Sequence, residues 1–337
     1  MASTKRSNEF ILAICIPTYN NRQMVVAHIK SLLAIDDGRF CIRINDNHST
    51  DGLIDDISNI HDNRLLYHAE EWNKGSGINT ISSVAYAPAK YSLLCIDKNV
   101  INPSELSNFI AYLEAKNPYY GYVSGGEVFH EERMLEGIDS VLASAYESKH
   151  PTGWFFRTDL FNDELQNRWF AITDKTEGFI MDMFAASLGC RYSYSIVNMP
   201  ILPSVYSHKT QSKTKSFNEH NAYFGYNGRL KTVLQYNQQL EQLPLSDNDK
   251  KVILEHVIKR YVWYVSRFLR ELYFNENLRE SYGLTNRKIT LYEMCNNTYR
   301  FLSTIKSDTK IVLSRKFYIK MYIMSVLRNI RYVCRKK

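Results

Sequence analysis

A cluster of polar and aromatic residues directly follows the first apolar run of the chain, FILAICI. The cluster consists of Pro17, Thr18, Tyr19 and Asn20. The proline fixes a turn, the tyrosine offers a flat aromatic face, and the other two supply hydrogen-bonding groups. These groups suit a ligand that carries a flat ring and several hydroxyl groups. Many ordinary turns have a similar composition, so the interpretation depends on the polar clusters farther along the chain.

A second polar cluster, DNHSTDG, begins at Asp46, where another apolar run ends. The carboxylate of Asp46 can accept a hydrogen bond from an N–H group of a nucleotide base. Ser49 and Thr50 are residue types that cap helices, and we expect one of them to cap the helix that begins near Leu53. Asp46 is therefore predicted to contact a base beside a capped helix.

The elements that must position these clusters alternate along the chain. Strand-like apolar runs begin near Phe10, Arg39, Leu65 and Tyr91, and each leads into a polar turn and a helical pattern. The alternation predicts an α/β fold in which helices cover both faces of a mostly parallel sheet. Ligands bind at the carboxyl ends of the strands in such sheets, so the polar turns should converge on one crevice.

The pattern becomes less regular beyond the fourth strand. It predicts a helix over Arg133–Glu147, a loop HPTGWFFR and a helix near 177–188, and from about Lys250 it predicts helices only. The polar segment SHKTQSKTKSFNEHN indicates a boundary. We therefore expect a catalytic domain over residues 1–215, with halves at 1–130 and 131–215, and a helical C-terminal region over 216–337.

Four segments in this order, CIPTYNN, INDNHSTDG, NKGSGIN and IDKN, resemble family 2 glycosyltransferases of the GT-A fold. The ordered resemblance runs from Ile11 to about Ile101, and it continues more loosely around HPTGWFFR and Glu177. It implies an enzyme that moves a sugar from a nucleotide-sugar donor to an acceptor. The donor-binding residues that it implies are Pro17, Thr18, Tyr19, Asn20, Asp46, Asn73, Gly75, Asp97 and Lys98.

The segment Asp97-Lys98-Asn99 falls where the resemblance implies an Asp-x-Asp motif that contacts the ribose and a divalent metal ion. Asn99 departs from that motif, because its amide oxygen can bind Mg²⁺ or Mn²⁺ but adds no charge. Lys98 could neutralise part of the diphosphate charge instead. We expect Mg²⁺ or Mn²⁺ on Asp97 and Asn99, and the alternative is that IDKNV is only the end of a strand.

The general base that the resemblance implies is a carboxylate at the start of a helix, in a Glu-Asp pair. Here Glu177 is followed by glycine, and Asp174 and Asp182 are the nearest aspartates. Asp182 lies between two methionines, so it is either a buried acid or a solvent-facing edge residue. Glu177 and Asp182 are both candidates for the catalytic base.

The loop HPTGWFFR resembles an acceptor-side loop, so His150 and Trp154 are predicted to contact the acceptor sugar. The alternative is that Trp154, Phe155 and Phe156 belong to the core, which is the favoured interpretation for the two phenylalanines. Two alternatives also apply to His208 and Lys209. They could close over the diphosphate, or they could belong to a surface loop.

Composition and charge restrict the class of protein. Hydrophobic residues make up 45% of the 337 residues, charged residues make up 23%, and the formal net charge is +7, values typical of a globular protein. No signal-peptide pattern and no apolar run long enough to span a bilayer occur, so we expect a cytoplasmic protein. The six cysteines form no CxxC pair, which favours reduced, buried thiols over a zinc site.

Nine Lys or Arg residues and no Asp or Glu lie between Thr309 and Lys337, among apolar residues at helical spacing. The pattern predicts a helix that binds an anionic membrane surface, so that the protein is peripheral on the inner face of the cell membrane. The alternative is a packed terminal helix with a solvated basic face. Nucleic-acid binding is not expected, because no recognised nucleic-acid fold accompanies the charge.

These features predict an inverting glycosyltransferase that uses a nucleotide-sugar donor. We expect the sugar of this donor to be linked to UDP. The acceptor would be a saccharide or a lipid-linked saccharide in the synthesis of capsule, lipopolysaccharide or another surface glycan. The alternative, favoured by Asn99 and the broken Glu-Asp pair, is a non-catalytic nucleotide-binding or scaffold protein with the same fold. A dehydrogenase is disfavoured, because PTYNN stands where GxGxxG would follow the first strand. No oligomeric state is predicted from the sequence.

Overall fold

A computed structural model describes residues 10–124, 132–147, 149–161, 180–201, 225–281 and 288–336. The chain divides into two compact units, Met1–His208 and Lys209–Lys337. The first unit is an α/β structure and the second is helical.

The first unit contains a sheet of eight strands within its described residues. The strands are β1 (Phe10–Thr18), β2 (Phe40–Asp46), β3 (Leu65–Ala69), β4 (Ala89–Leu94), β5 (Tyr120–Ser124), β6 (Arg133–Leu135), β7 (Trp154–Arg157) and β8 (Tyr194–Asn198). The helices are α1 (Arg22–Leu33), α2 (Leu53–Ser58), α3 (Ser76–Ala85), α4 (Pro103–Lys116), α5 (Gly137–Ser144) and α6 (Ile180–Gly189), with a 3-10 turn at Thr158–Leu160.

The order of strands in the sheet is β3-β2-β1-β4-β7-β5-β8-β6. Strands β1 to β4 are parallel to one another, as are β5 and β8, whereas β7 is antiparallel to both of its neighbours. The mostly parallel α/β sheet that the sequence predicts is confirmed. Parallel pairing brings the polar turns after β1, β2, β3 and β4 to the same edge of the sheet.

Helices cover both faces of the parallel half. Leu12, Ile14 and Ile16 of β1 belong to one buried cluster with residues of α1, α2 and α4. Alternate residues of a strand point to opposite faces, so Ala13 and Cys15 face the other way. On that side α3 packs against β1, β2 and β4. The thiol of Cys15 is fully buried, and burial raises its pKa above the ordinary value.

Two local predictions are wrong. Residues 133–147 do not form one helix, because Arg133–Leu135 pairs with β8 as an edge strand and the helix begins only at Gly137. The segment WFFR is a central strand rather than part of a loop. Its four residues alternate too little in polarity to reveal a strand that is buried on both faces.

The second unit contains α7 (Tyr226–Gln242), α8 (Asp247–Phe274), α9 (Glu276–Ser281), α10 (Leu291–Asp308) and α11 (Arg315–Lys336). Side chains accept first-turn amides at the starts of four of these helices, with Asn275 before α9 and Ser314 before α11. Ser246 caps α8, and Thr290 forms a capping box with Glu293 at the start of α10. In the part of the chain that the structure describes, no helix is both long enough and apolar enough to cross a bilayer.

Candidate active site

The turns after β1 and β2 are joined by hydrogen bonds. Thr18 lies opposite Asp46 in the parallel register, and the Asn47 amide donates to the Thr18 carbonyl at 2.9 Å. Asn20 has a positive φ of 52°. It forms hydrogen bonds to the turn after β2 both as a donor and as an acceptor. Its amide donates to Ser49 Oγ at 2.8 Å, and its Oδ1 accepts from the Thr50 amide at 2.8 Å. Tyr19, which stands between Thr18 and Asn20 in the sequence, remains 48% exposed.

Asp46 is buried beside these turns, at the carboxyl end of β2. Its Oδ1 accepts hydrogen bonds from the amide and the hydroxyl of Ser49, and its Oδ2 accepts one from the Tyr67 hydroxyl at 2.6 Å. Burial and the bond to Asp46 raise the pKa of Tyr67 above its ordinary value. A carboxylate has about four lone-pair positions. These three bonds therefore orient Asp46 and leave capacity for one further donor.

The predicted capping role of Ser49 or Thr50 is wrong. The residue before α2 is Gly52, with a positive φ of 79°, and no side chain caps the helix from that position. Asp51 instead accepts from the Leu53 amide at 3.3 Å through Oδ1 and from the Arg22 amide at 2.7 Å through Oδ2. Asp51, rather than Ser49 or Thr50, therefore binds the first amides of α1 and α2.

The turn after β3 is held by side-chain amides. Asn73 Oδ1 accepts from Asn47 Nδ2 at 2.8 Å and from the Gly75 amide at 2.9 Å. Gly75 has a φ of 83°, which favours glycine. Asn47 Oδ1 in turn accepts from the Lys74 amide at 2.9 Å. Asn73 and Gly75 thus lie in a turn that hydrogen bonds join to the turn after Asp46.

A second amide pair lies deeper. Asn45 Nδ2 donates to Asn79 Oδ1 at 2.6 Å, and Asn79 Nδ2 donates to the Thr18 carbonyl at 3.3 Å. Both asparagines are buried. Sequence analysis assigned no role to Asn45, Asn47 or Asn79, although each falls within a segment that carried the family resemblance. Their common signal is an asparagine at a strand end or in the first turns of a helix.

Asp97 reaches the same edge from the turn after β4. Its Oδ2 accepts from Thr18 Oγ1 at 3.0 Å, and its main-chain carbonyl accepts from Asn21 Nδ2 at 3.3 Å. Burial raises the pKa of the Asp97 carboxyl above its ordinary value. A partly desolvated carboxylate at a strand end is a suitable ligand for a cation. Lys98, next to it, is exposed.

Asn99 is oriented by the segment before β7. The Thr152 hydroxyl donates to Asn99 Oδ1 at 2.8 Å and accepts from the Ile96 amide at 3.0 Å. The Thr152 amide donates to His150 Nδ1 at 3.2 Å. Burial lowers the pKa of His150, so its imidazole is neutral at pH 7. Thr152 therefore links His150 to the turn that carries Asp97. The acceptor role of His150 stays a prediction.

The residues present fit a divalent cation only in part. Within the described residues, no three His, Cys, Asp or Glu side chains gather in one place. Asp97 offers one charged group, and Asn99 Oδ1 already accepts the bond from Thr152. Mg²⁺ commonly needs only one or two carboxylates together with substrate phosphates and water. Asp97 with the second lone pair of Asn99 satisfies that minimum.

Trp154 lies in the core and has no exposed surface. Its ring is 5.3 Å from that of Tyr122, 6.0 Å from that of Phe156 and 6.1 Å from that of Tyr194. The ammonium group of Lys149 lies 5.6 Å from the Trp154 ring. A sugar cannot stack on a ring that is covered in this way, so the position of Trp154 agrees with the core alternative.

Asp182 is fully buried on α6. It is close enough to Tyr146 and Tyr194 to contribute, after burial, to raising the pKa of both phenols. The sequence allowed Asp182 to be either a buried acid or a solvent-facing edge residue, and the structure shows that it is buried. Glu177, Asp174, His208 and Lys209 lie outside the described residues. The identity of the base therefore stays a prediction.

Comparison with known proteins agrees with this architecture. Residues 13–170 match the family model for glycosyl transferase family 2. No curated protein matches the sequence. The crystal structure of S. aureus TarS 1–349 in complex with UDP-GlcNAc is similar at a TM-score of 0.57 and 13% identity, covering 97% of this chain and 93% of that one. The crystal structure of S. aureus TarS 1–349 alone is similar at a TM-score of 0.54 and 14% identity, covering 97% of this chain and 92% of that one.

Proposed function

We propose that the protein is a member of glycosyl transferase family 2, whose model matches residues 13–170. In this proposal it transfers a sugar from a UDP-linked donor to a saccharide or lipid-linked saccharide acceptor, with inversion at the anomeric carbon. One observation carries the proposal: hydrogen bonds join the turns that carry Thr18, Asp46, Asn73 and Asp97, which follow four neighbouring strands. TarS, which shares the fold, has been solved with UDP-GlcNAc.

The nucleoside would lie between Tyr19 and Asp46. The exposed Tyr19 ring offers a stacking face, and the remaining lone pair of Asp46 accepts from a base N–H. Pro17, Thr18 and Asn20 hold the turn that carries Tyr19. Asn73 and Gly75 border the same space and would approach the ribose.

The diphosphate would lie against Asp97, Lys98 and Asn99. A Mg²⁺ or Mn²⁺ ion, when bound, would offset the negative charge of the diphosphate, with Asp97 and Asn99 as its protein ligands. Lys98 is exposed beside them and adds positive charge. Thr18 orients the Asp97 carboxylate, and Thr152 orients the Asn99 amide.

The acceptor side would be formed by His150 and one of two candidate bases. His150 would contact the acceptor, and Glu177 or Asp182 would take the proton from its attacking hydroxyl group. Trp154, which is buried, is not proposed as an acceptor contact. The proposed product belongs to a capsule, lipopolysaccharide or other surface glycan, made on the inner face of the cell membrane by a catalytic domain of residues 1–215 and a helical region of residues 216–337.

A direct test is donor binding and turnover with purified protein. Calorimetry and donor hydrolysis with a panel of nucleotide sugars, with and without Mn²⁺, should show one preferred donor, and UDP alone should compete with it. Binding of no member of the panel would overturn the proposal.

The second candidate is a nucleotide-binding protein without transferase activity. The Thr152–Asn99 bond favours it, because that bond occupies part of the oxygen that a metal would need. Asp97→Ala separates the two candidates. In an enzyme the variant loses turnover, whereas in a binding protein the wild type has no turnover to lose and the variant only binds UDP more weakly.

A further inference from the structure

Helix α11 exposes a continuous apolar stripe. Ile319 is 49% exposed, Ile323 is 49%, Leu327 is 59% and Ile330 is 39%. Their spacing of four, four and three residues places all four on one face of the helix. Isolated exposed apolar residues are ordinary, but an aligned row of four large side chains indicates an interaction surface.

The orientation of α11 is fixed by its opposite face. Met321, Ser325, Asn329 and Val333 are buried. Ser325 forms a hydrogen bond with Ser266 of α8, and Asn329 Oδ1 accepts from Arg270 Nη1 at 3.4 Å. The helix is therefore packed on one side, and the apolar stripe cannot turn inward without breaking these contacts.

Basic side chains border one edge of the stripe. Helix α11 contains seven Lys or Arg residues and no Asp or Glu. Lys320, Arg328, Arg331 and Arg335 are exposed. At 100° per residue they lie on the side of the helix next to the apolar row. Long basic side chains in this position can reach headgroups while their stems cover apolar surface.

Tyrosines border the other edge. Tyr322 directly precedes Ile323, and its ring centroid lies 6.0 Å from that of Tyr299 on α10. Tyr299 is 58% exposed, and Tyr292, two turns earlier on α10, is 76% exposed. Tyrosine rings are enriched where apolar and aqueous phases meet. Two helices therefore contribute to one surface, defined by Ile319, Ile323, Leu327, Ile330, Tyr299 and Tyr322.

We propose that this surface binds the anionic face of a lipid bilayer, with the apolar stripe inserted between headgroups and the basic edge on lipid phosphates. Charge complementarity selects this occupant. If a second copy of the chain bound through the same surface, two copies of α11, whose charged residues are all basic, would face each other. Like charges across an interface oppose association. A nucleic acid would satisfy the charges but would leave the apolar stripe uncovered. The proposal rests on the membrane location in the proposed function and deepens it, and it concerns binding rather than sugar transfer.

The test compares two isoleucines that are equally exposed. Ile323 in the surface and Ile54 on α2 are both 49% exposed, so Ile323→Glu and Ile54→Glu make the same change in charge and polarity. Sedimentation of the full chain with phosphatidylglycerol–phosphatidylcholine vesicles should show about tenfold weaker binding for Ile323→Glu and wild-type binding for Ile54→Glu. Vesicles of phosphatidylcholine alone should bind the wild type weakly.

Three results would overturn the proposal. These are equal losses in both variants, no loss in either, or wild-type self-association that Ile323→Glu abolishes while vesicle binding is unchanged. Circular dichroism of both variants checks that the helices are retained. Vesicle binding is measured without donor or acceptor, so its failure and the failure of the proposed transferase activity are distinguishable.

Discussion

The hydroxyl group of Thr152 donates to the amide oxygen of Asn99 at 2.8 Å, across 53 residues of sequence. The same hydroxyl accepts the Ile96 amide. The segment before β7 and the turn after β4 are therefore held together by one side chain. Thr152 therefore fixes the position of the Asn99 amide oxygen.

Removal of that hydroxyl should disturb both partners. Thr152→Val keeps the shape of the side chain but leaves the Ile96 amide and the Asn99 oxygen without this bond, so we expect a loss of about 1–3 kcal/mol in the free energy of unfolding and a higher KM for the donor. Thr152→Ser keeps the hydroxyl and should retain most of both. Urea denaturation and donor titration measure the two effects, and equal behaviour of the two variants would refute this role.

Asp97→Asn should separate stability from activity. Burial raises the pKa of Asp97, so in the folded state the charged form is disfavoured, and stability falls as pH rises through the interval between its unfolded and folded pKa values. An amide in its place removes the charge while it can still accept from Thr18. We expect an equal or higher Tm at pH 7 and turnover reduced by about 100-fold or more. Asp308→Asn, at an exposed site, should change neither.

His28 should make the fold sensitive to acid. Its Nε2 accepts the Ile101 amide at 3.1 Å, and burial lowers its pKa from 6.5 to about 4. The unfolded chain thus binds a proton at a higher pH than the folded protein does. The His28 contribution to stability is full above pH 6.5 and is lost as pH falls towards 4, by about 2 kcal/mol between pH 7 and pH 5.

The matched variant for that measurement is His28→Gln, which keeps an acceptor for the Ile101 amide and does not titrate. Its free energy of unfolding should therefore fall less than that of the wild type between the same two pH values. Parallel falls in the two proteins would show that other groups cause the acid sensitivity.

The two candidate bases should differ in their effect on turnover. Because Asp182 has no exposed surface, it is poorly placed to reach an acceptor hydroxyl, and Glu177→Gln should reduce kcat more than Asp182→Asn. For a general base the reduction is about 100-fold or more, with donor affinity unchanged. The opposite order, with an altered pH–rate profile in Asp182→Asn only, would identify Asp182 as the base.

Gly121 in β5 should tolerate no side chain. A Cβ atom there would lie 2.2 Å from the Ser195 carbonyl oxygen and 2.4 Å from Phe155 Cζ. Gly121→Ala should therefore lower the free energy of unfolding by about 3 kcal/mol. Gly38→Ala is the control, since nothing lies within 4 Å of its added Cβ. Thermal melts of the two variants that coincide would contradict the observed packing.

The convergence of the polar turns after β1 to β4 can be predicted from the sequence because its signals are local. Each of β1 to β4 is an apolar run that ends in a polar turn, and parallel pairing forces those turns together. The strand character of WFFR could not be predicted, because it comes from pairing with β4 and β5, which lie far away along the chain. For the same reason the burial of Trp154 and Asp182 depends on neighbours that no local pattern contains.

The asparagine bonds between the turns have a consequence for the thermodynamics of donor binding. Asn47, Asn73 and Asn79 join the turns after β1, β2 and β3 through hydrogen bonds within the protein. A ligand that entered would have little loop conformational entropy to remove. Association should consequently be fast and close to rigid-body on this side.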